Sequence, residues 1–389
     1  MISERAVRIA MALENQPYPR DVRVRAEAEA LARAGHDVTV LAPRARGEAR
    51  RERVDGVAVR RFRALDAGHG RAGFVAEYAI AHVALVRLVA CELARGADVV
   101  HLHNPPDTLF VAGLLARAVG RRVVFDQHDL FPELLESRFG PSPLSPVARA
   151  AQWAALCTAT VVLATNRSQR ELALARGRLE PDAVVVVRNG PARATLADAP
   201  AVRPGTLARP RLVYVGELGP QDGVLDLPDL LDRPPLAAAE LTVVGDGACR
   251  RELEDAVAAR ASLAGRVRFT GRVPHARVPA LLADADIAVD PAPGTALNHR
   301  STMIKIAEYL AAGLPAVAYD LIETRRTAGD GALLAAPGEP AALADLAGRL
   351  AGDEALRRAV AVRGRARAEE LVWERSEPAL LAAYERLDG

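Results

Sequence analysis

Short apolar runs alternate with longer amphipathic stretches along the whole chain. Apolar residues in the longer stretches recur every three or four positions, the spacing of a helix with one buried face. Runs as continuously apolar as the short ones are usually strands buried on both faces, which favours a parallel sheet covered by helices. The strands predicted in the first half are Val7–Ala12, Asp37–Ala42, Val57–Phe62, Asp98–His103, Arg122–Asp126, Ala159–Ala164 and Ala183–Arg188. The helices predicted between them are Val22–Ala34, Phe74–Ala94 and Thr108–Ala118.

The alternation is interrupted once. Around Pro191–Pro210 it gives way to Ala, Pro, Arg and Gly, which is typical of a connection between domains. It then resumes with predicted strands at Arg211–Gly216, Glu240–Gly245, Val267–Thr270, Ile287–Asp290 and Pro315–Asp320, and predicted helices at Arg250–Ala261, Val278–Ala283, Thr302–Ala312 and Pro340–Leu350. We therefore expect two doubly wound α/β domains, with ligands at the carboxyl ends of the strands and in a central cleft. The expected boundaries are 1–195, a linker over 196–210, 211–370 and a terminal helix over 371–389.

Composition narrows the function classes. The 51 basic and 49 acidic residues are spread along the chain without a basic block, which argues against a nucleic-acid partner. The three cysteines lie too far apart for a disulfide framework or a zinc site, so we predict buried thiols in a reducing cytoplasm. No uncharged apolar run approaches the length of a membrane span. Ala79–Ala94 is interpreted as an amphipathic helix; the alternative is a helix lying on a membrane surface, which would place the protein at the inner face of the membrane.

The segment Leu297–Pro315 contains the most specific chemistry. Ser301 is the expected N-cap of a helix that Gly313 ends, and the amides at such a helix start attract an anion. Lys305 is the only lysine among the 51 basic residues, so it needs an explanation in a chain that otherwise uses arginine. A diphosphate would fit beside it, and Glu308 is placed to accept hydrogen bonds from a ribose diol. The alternative is an ordinary surface ion pair between Lys305 and Glu308.

Ser301–Pro315 resembles the donor-binding helix of the retaining GT-B glycosyltransferases of the family-4 type, which use nucleotide-activated sugars. Other segments resemble this family in the same order along nearly the whole chain. They are Asp21–Leu31, Gly35–Pro43, Asp98–Asn104, Asp126–Glu133, Val213–Gly223, Val243–Gly247 and Ile287–Pro291. The resemblance implies a GT-B fold of two Rossmann-like domains facing a central cleft. The first would bind the acceptor, the second the nucleotide sugar, and the last helix would cross back to the first.

The resemblance also implies a set of donor-site residues. Glu308 matches the second glutamate of the family's paired-glutamate motif. The first acidic position is Arg300 here, or is absent if the loop differs in length. The basic pair that many members carry is missing from Glu217–Gly223, so Arg300 and Lys305 are expected to supply the charge that stabilises the leaving diphosphate. The full predicted donor set is Gly216, Gly219, Gly223, Asn298, Ser301, Thr302, Lys305 and Glu308. We predict no metal and no cofactor, the nucleotide sugar being a co-substrate.

In the first half, His101 and His103 fall on one face of a predicted strand, with His103 at its carboxyl end. A two-histidine metal site lacks a third ligand at a recognisable spacing, and Asp284–Asp286 lies at a helix-to-strand junction rather than in a metal motif. The resemblance instead places His103 at the reaction centre, as a catalytic residue with Arg300 and Lys305. It implies acceptor contacts from Asp21, Asn104, His128 and Asp129. For both His103 and His128 the alternative is a buried, hydrogen-bonded histidine.

The expected activity is transfer of a sugar to an acceptor hydroxyl with retention of configuration, in glycan or natural-product biosynthesis. Two alternatives stay open: a sugar-nucleotide epimerase and a non-catalytic nucleotide-sugar-binding protein. The acceptor is a polysaccharide, a lipid-linked glycan or a small molecule, and the composition of the loops Arg44–Asp55, Arg63–Gly73 and Leu134–Ser145 does not discriminate among them. A peripheral membrane contact is the remaining partner predicted.

Overall fold

The computed structural model describes residues 6–64, 71–140, 143–196 and 202–387. The chain forms two compact units. Unit 1 comprises Met1–Arg188 with Ser376–Gly389, and unit 2 comprises Asn189–Arg375. Each unit is an α/β sheet domain, which confirms the predicted fold class.

Unit 1 contains a sheet with the order β3-β4-β2-β1-β5-β6-β7-β8 within the described residues. All neighbouring strands are parallel except β3 and β4. The strands are β1 (Arg8–Ala12), β2 (Asp37–Pro43), β3 (Arg51–Val54), β4 (Val57–Phe62), β5 (Val99–His103), β6 (Arg122–Gln127), β7 (Val161–Ala164) and β8 (Val184–Val186). Because the strand order proceeds in opposite directions from β1 and from β5, the topological switch point lies between these two strands.

Six helices accompany this sheet in the described part of unit 1. They are α1 (Val22–Arg33), α2 (Arg71–Ala94), α3 (Phe110–Ala118), α4 (Phe131–Phe139), α5 (Leu144–Thr158) and α6 (Arg167–Gly177). Side chains of α2, α3, α5 and α6 share one buried core with those of the central strands. The packing between α3 and α5 is close enough to require a glycine, since a Cβ atom on Gly113 would lie 2.8 Å from the methyl group of Thr158.

Unit 2 contains a parallel sheet with the order β11-β10-β9-β12-β13-β14 in the described residues, and its switch point lies between β9 and β12. Its strands are β9 (Arg211–Val215), β10 (Glu240–Val244), β11 (Val267–Gly271), β12 (Ile287–Asp290), β13 (Ala316–Tyr319) and β14 (Ala332–Ala335). Its helices are α7 (Leu227–Leu231), α8 (Arg250–Ala258), α9 (Val278–Ala283), α10 (Ile304–Ala311), α11 (Ile322–Ala328), α12 (Pro340–Gly352) and α13 (Glu354–Leu371). The last helix, α14 (Trp373–Glu385), begins in unit 2 and ends in unit 1.

Every predicted strand is present, with its ends displaced by two residues at most. The structure adds β3 inside the segment Arg44–Asp55, where the charged run Arg51–Val54 lacks the apolar signal of a buried strand. It also makes most of Leu134–Ser145 helical, through α4 and the start of α5. Part of Arg63–Gly73, residues 65–70, and residues 141–142 of Leu134–Ser145 lie outside the described residues. The described parts of Arg44–Asp55 and Leu134–Ser145 therefore contain less loop than the sequence predicted.

The structure gives the burial of the three cysteines and the length of the apolar helices. Cys249 is buried, but Cys91 and Cys157 are exposed on the outer faces of α2 and α5, so the prediction of three buried thiols is wrong for these two. In the described part of the chain, no helix combines the length and apolar character needed to cross a membrane.

Candidate active site

The carboxyl ends of β9 and β12 bring most of the predicted donor-site residues together. Residues 216–223, here called the glycine loop, follow β9; Asp290 ends β12; and α10 starts at Ile304. The switch point of a parallel sheet is where ligands bind in such folds, because the loops on its two sides diverge and leave a crevice. A separate cavity of about 500 Å³ opens at the opposite edge of this sheet, among the first residues of β9, β10 and β11. It contains none of the predicted residues.

Glycines let the loop pack tightly against its neighbours. A Cβ atom on Gly223, whose φ is +66°, would lie 2.0 Å from the carbonyl oxygen of Pro291. A Cβ atom on Gly245, which follows β10, would lie 1.8 Å from the carbonyl oxygen of Gly216. These contacts exclude any other residue without displacing backbone. The glycine loop is therefore held closely between the ends of β10 and β12.

Lys305 lies beneath this loop rather than on the surface. Its side chain is 8% exposed, and its Nζ lies 2.8 Å from Asp222 Oδ1 and 3.5 Å from Asp290 Oδ1. Nζ also donates to the hydroxyl of Tyr214 at 3.0 Å. Burial alone would lower the pKa of Lys305, but Asp290, Tyr214 and Asp222 hold it well above its ordinary value. The lysine is therefore charged, and two carboxylates face that charge.

The helix that carries Lys305 begins later than predicted. The prediction of Ser301 as N-cap is wrong, because α10 starts at Ile304 and the hydroxyl of Ser301 donates to the carbonyl of Leu297 in the preceding turn. Met303 occupies the cap position and makes no side-chain cap bond. Lys305 is consequently the second residue of the helix instead of lying one turn in. Thr302 is half-buried just before the helix.

Asn298 is engaged with the glycine loop. Its side chain is 1% exposed, and its amide donates to the carbonyls of Gln221 (2.8 Å) and Pro293 (2.9 Å). Both amide hydrogens are therefore used within the protein. Arg300 is half-buried and donates to the carbonyl of Ala296 at 3.1 Å. Only Arg300 adds a basic side chain to this segment besides Lys305 and His299.

Glu308 lies on α10, one turn beyond Lys305. It is 16% exposed, and its Oε1 lies 2.9 Å from Nε2 of His275, which precedes α9 and is 56% exposed. The ion pair between Glu308 and Lys305, the alternative to a donor-binding role, is absent from the ion pairs of the described residues. A carboxylate that is held by one partner and reaches the surface has an oxygen available for a ligand's hydroxyl groups.

A second cluster lies at the switch point of unit 1, around Asp126 of β6. This carboxylate accepts hydrogen bonds from Arg23 Nη2 (2.6 Å) and Nε (2.8 Å), and it is completely buried. His103 Nδ1 lies 3.2 Å and His128 Nε2 2.7 Å from the same oxygen, Oδ2. Asp126 thus connects α1, β5 and the loop after β6. Sequence reasoning did not single out Arg23 or Asp126, although both lie inside motifs of the resemblance.

The protonation states of this cluster follow from its charges. Burial would raise the pKa of Asp126, but Arg23 and the two histidines hold it well below its usual range. Burial lowers the pKa of His103, so its neutral form is favoured. Asp126 outweighs burial at His128 and raises its pKa. Nδ1 of His103 lies 3.0 Å from Nε2 of His128 as well as 3.2 Å from Asp126. Among the described residues, Nε2 of His103 has no hydrogen-bond partner.

His101 lies on the same face of β5 as His103, as predicted, and the two rings stack with centroids 4.2 Å apart. The hydroxyl of Tyr384 in α14 lies 2.9 Å from His101 Nδ1. Among the described residues, Glu27, His101, His103 and Asp126 offer potential metal ligands within 4.8 Å of one another. The guanidinium of Arg23 already lies between both carboxylates, 3.0 Å from Glu27, and would repel a metal cation.

Asn104 organises the loop after β6. Its amide donates to Asp107 Oδ1 and to the carbonyl of Asp129, both at 2.8 Å. Its carbonyl oxygen accepts from the backbone N–H groups of His128 (2.6 Å) and Asp129 (3.2 Å). All four hydrogen-bonding positions of this side chain are therefore used internally. Asp21 has a similar internal role, because its carboxylate accepts from Val24 N as the N-cap of α1.

Glu14 is a feature that sequence reasoning missed. It follows the carboxyl end of β1 next to the switch point, where β1 pairs with β5. Burial, with a smaller contribution from Glu77, raises the pKa of Glu14 to about 7. A carboxyl group that exchanges protons near neutral pH at the carboxyl ends of the strands, where ligands bind in such sheets, is a candidate functional group. Its position after the first strand is the signal that would have found it.

The two halves of the chain match two family models. Residues 21–190 match the glycosyl transferase 4-like domain, and residues 209–353 match the glycosyl transferases group 1. The chain belongs to the GT-B glycosyltransferases of the family-4 type. The predicted membership of this glycosyltransferase family is thereby confirmed.

The glycosyltransferase chain is similar to two curated relatives. It is 31% identical over 281 residues to 2-deoxystreptamine N-acetyl-D-glucosaminyltransferase of Streptomyces fradiae, covering 67% of this chain and 65% of the relative. It is 35% identical over 150 residues to 2-deoxystreptamine glucosyltransferase of Streptomyces kanamyceticus, covering 38% and 37%. The matched region therefore spans less than two thirds of each relative's length.

Solved structures agree on the fold. Sucrose-phosphate synthase from Thermosynechococcus elongatus matches with a TM-score of 0.79 and 20% identity, covering 98% of this chain and 99% of that one. HepE of Anabaena, solved with UDP and glucose, matches with a TM-score of 0.69 and 17% identity, covering 98% and 99%. At such identities the likeness establishes the GT-B fold alone.

Proposed function

We propose that this protein transfers a sugar from a nucleoside-diphosphate sugar to an acceptor hydroxyl with retention of configuration, in glycan or natural-product biosynthesis. The observation that carries the proposal is the arrangement at the switch point of unit 2. A glycine loop, the start of α10 and the partly exposed carboxylate of Glu308 lie at one strand edge there. Backbone amides suit a diphosphate and a carboxylate suits a ribose diol, so this combination fits a nucleoside diphosphate.

In this proposal the leaving diphosphate is stabilised by loop and helix amides together with Arg300, without a metal. The predicted direct contact of Lys305 with the diphosphate is not part of this proposal, because its ammonium is already paired with Asp222 and Asp290. Asn298, Ser301 and Thr302 would shape the segment before α10. His103 of unit 1 stays a predicted catalytic residue; its side chain is fully buried, and its Nε2 has no hydrogen-bond partner among the described residues.

The acceptor is proposed to be a small polyol bearing amino groups. The two curated relatives are named for 2-deoxystreptamine, a compound of this kind. Glu14 and the half-buried Asp129 supply carboxylates at the ligand edge of unit 1, where ammonium groups would find partners. His128 would lie beside them, while Asn104 and Asp21 hold the surrounding backbone.

The predicted peripheral membrane contact has one supporting feature, here called the apolar helix face. Twelve large apolar side chains are exposed in the described residues, and nine of them lie on α2, on α5, or on α3 and its C-cap. The nine are Ile80, Val83, Val111, Leu114, Leu115, Val119, Leu144, Val147 and Trp153. Helix α3 contacts both α2 and α5. Neither α3 nor α5 contains an acidic residue, and Arg87, Arg117 and Arg149 are exposed on these helices. Apolar and basic side chains together suit an anionic lipid surface.

The activity is tested by calorimetric titration with UDP, GDP, dTDP and ADP, followed by incubation of the matching nucleotide sugars with and without 2-deoxystreptamine. Selective binding of one nucleotide and formation of a glycoside that keeps the donor's anomeric configuration by NMR would support the proposal. An interconverted nucleotide sugar without acceptor would identify an epimerase. Donor binding without turnover, even with a panel of amino-bearing and neutral polyols, would identify a binding protein. Absence of nucleotide binding would refute the proposed donor site.

The membrane contact is tested by flotation with vesicles of phosphatidylcholine alone or mixed with phosphatidylglycerol. We expect the protein to float with the anionic vesicles and not with vesicles of phosphatidylcholine alone. Leu114→Glu should abolish this flotation, and Val362→Glu should keep it. Val362 is a matched control because it is 64% exposed on α13 of unit 2. Failure to float with anionic vesicles would contradict the contact. A dimer in solution that Leu114→Glu dissociates would show that a second copy covers the face instead.

A further inference from the structure

The single lysine of this chain lies at the point where four segments meet. Nζ of Lys305 on α10 contacts Asp222 in the glycine loop and Asp290 at the end of β12. It also donates to the hydroxyl of Tyr214 in β9, and that hydroxyl donates in turn to the carbonyl of Glu217 at 2.7 Å. One ammonium group thus holds both ends of the glycine loop, Asp222 directly and Glu217 through Tyr214.

The space around this ammonium explains why the residue is lysine. A Cβ atom on Gly216 would lie 3.0 Å from both Cε and Nζ of Lys305 and 2.8 Å from the Tyr214 hydroxyl. The loop backbone therefore closes directly over the end of the side chain. A compact ammonium with three donors suits partners on three sides, whereas the longer, planar guanidinium needs room that Gly216 and Tyr214 occupy. In a chain with 50 arginines, this is the site where arginine does not fit.

The charges around Lys305 are unfavourable for a diphosphate ligand. Asp222 and Asp290 are 11% and 1% exposed, and both carboxylates face Nζ. A diphosphate approaching this ammonium would meet those two negative charges as well. Asn298 reinforces the same loop, since its amide donates to Gln221, the neighbour of Asp222.

We propose that Lys305 is a positioning residue that fastens the glycine loop through Asp222, and that it does not bind the diphosphate of the donor. This inference rests on the proposed function for the identity of the ligand. The contacts that define it are all within unit 2.

The test compares Lys305→Met, Lys305→Arg, Asp222→Asn and the Lys305→Met/Asp222→Asn double variant. Two properties are measured: the affinity for the nucleoside diphosphate that the wild type prefers, and hydrogen–deuterium exchange of the peptide covering residues 216–223 without ligand. Asp255→Asn is the matched control, because it breaks an exposed pair in the same unit, with Arg251 and Asp255 94% and 76% exposed.

A positioning role predicts that every variant at 305 or 222 weakens nucleotide binding by about tenfold or more, the loss of one charged hydrogen bond. The double variant should be no weaker than the single ones, because both break the same pair. Exchange of the loop peptide should accelerate in all of them and stay unchanged in the control. In turnover assays the donor KM should rise more than kcat falls, a split that general destabilisation does not produce.

A diphosphate ligand predicts the reverse for Asp222. If Asp222→Asn binds the nucleoside diphosphate as tightly as the wild type or more tightly, while Lys305→Met loses affinity, the positioning role is overturned. If Lys305→Arg keeps the wild-type nucleotide affinity and the wild-type hydrogen–deuterium exchange of the loop, the argument that arginine does not fit at this position is overturned. A wild type that binds no nucleotide would refute the proposed function, whereas the exchange measurement would still test the fastening of the loop. The near-isosteric Asp222→Asn keeps this test available if a variant at 305 does not fold.

Discussion

Asp126→Asn is the most informative single change in unit 1. The carboxylate is fully buried and takes two hydrogen bonds from Arg23, at 2.6 and 2.8 Å, besides those with His103 and His128. An asparagine of the same size carries no charge and presents an N–H₂ group to at least one of these donors. Arg23, which is 4% exposed at the side chain, would lose this carboxylate but keep its contacts with Glu27 and the carbonyl of Val187.

Breaking one side of a buried ion pair typically costs about 3–5 kcal/mol of unfolding free energy. That is a large part of the 5–15 kcal/mol that stabilises a domain of ordinary size. We therefore expect a marked shift of the urea midpoint of unit 1. The chain contains two tryptophans, and Trp153 lies in α5 of unit 1, so its fluorescence in a Trp373→Phe background follows this unit.

The pH dependence gives the prediction a sign. A carboxyl whose folded pKa is depressed contributes stability that is complete above its ordinary pKa of about 3.9 and is lost as pH falls toward the folded value. Asp126 also raises the pKa of His128, and this contribution to stability is lost as pH rises through that raised pKa. The stability gap between wild type and Asp126→Asn should therefore widen as pH falls from 8 toward 5, and shrink only in stronger acid, where Asp126 itself is protonated. The control is Glu171→Gln, which breaks a pair with Arg167 that is 60% and 76% exposed. It should change stability by about 0.5 kcal/mol or less. A cost below about 1 kcal/mol for Asp126→Asn would refute the reasoning.

Three further predictions concern other residues. Burial raises the pKa of Asp107 to about 7, so the folded state favours the protonated carboxyl group. The free energy of unfolding should therefore fall as pH rises from about 4 to 7, by up to about 1.4 kcal/mol per pH unit. Denaturation at pH 5 and pH 8 should show a smaller pH dependence in Asp107→Asn than in the wild type, and an equal dependence would contradict the prediction. Glu308→Gln should weaken nucleoside-diphosphate binding about tenfold by calorimetry, the loss of a charged hydrogen bond to ribose, whereas equal affinity would remove Glu308 from the donor site. Gly223→Ala should destabilise unit 2 more than Gly205→Ala. The φ values of the two glycines are similar, +66° and +69°, but a Cβ atom would lie 2.0 Å from a carbonyl oxygen only at Gly223. Equal melting temperatures of the two variants would show that Pro291 moves aside.

Local sequence patterns predicted the fold class and most strands, but β14 and the helices α4, α5, α6, α7, α11 and α13 had no predicted counterpart. Continuous apolar runs such as Ile287–Asp290 predicted strands correctly because burial on both faces leaves a direct signal in the sequence. The charged edge strand β3 carries no such signal and was missed. The start of α10 was also missed, because Ser301 bonds to Leu297 in a turn that the helical pattern does not reveal.

The sequence alone was enough to single out His103 at the end of β5 and Lys305 and Glu308 on α10, since motif order and spacing do not depend on side-chain contacts. Only the tertiary structure decided their partners. Lys305 is separated from Asp222 by 83 residues and Arg23 from Asp126 by 103, and no local periodicity encodes pairs so far apart. Burial then determines what each pair does, because a charge removed from water must be matched by a specific partner. For this reason, a lysine that looks like an anion ligand in the sequence is, in the folded protein, enclosed between two carboxylates.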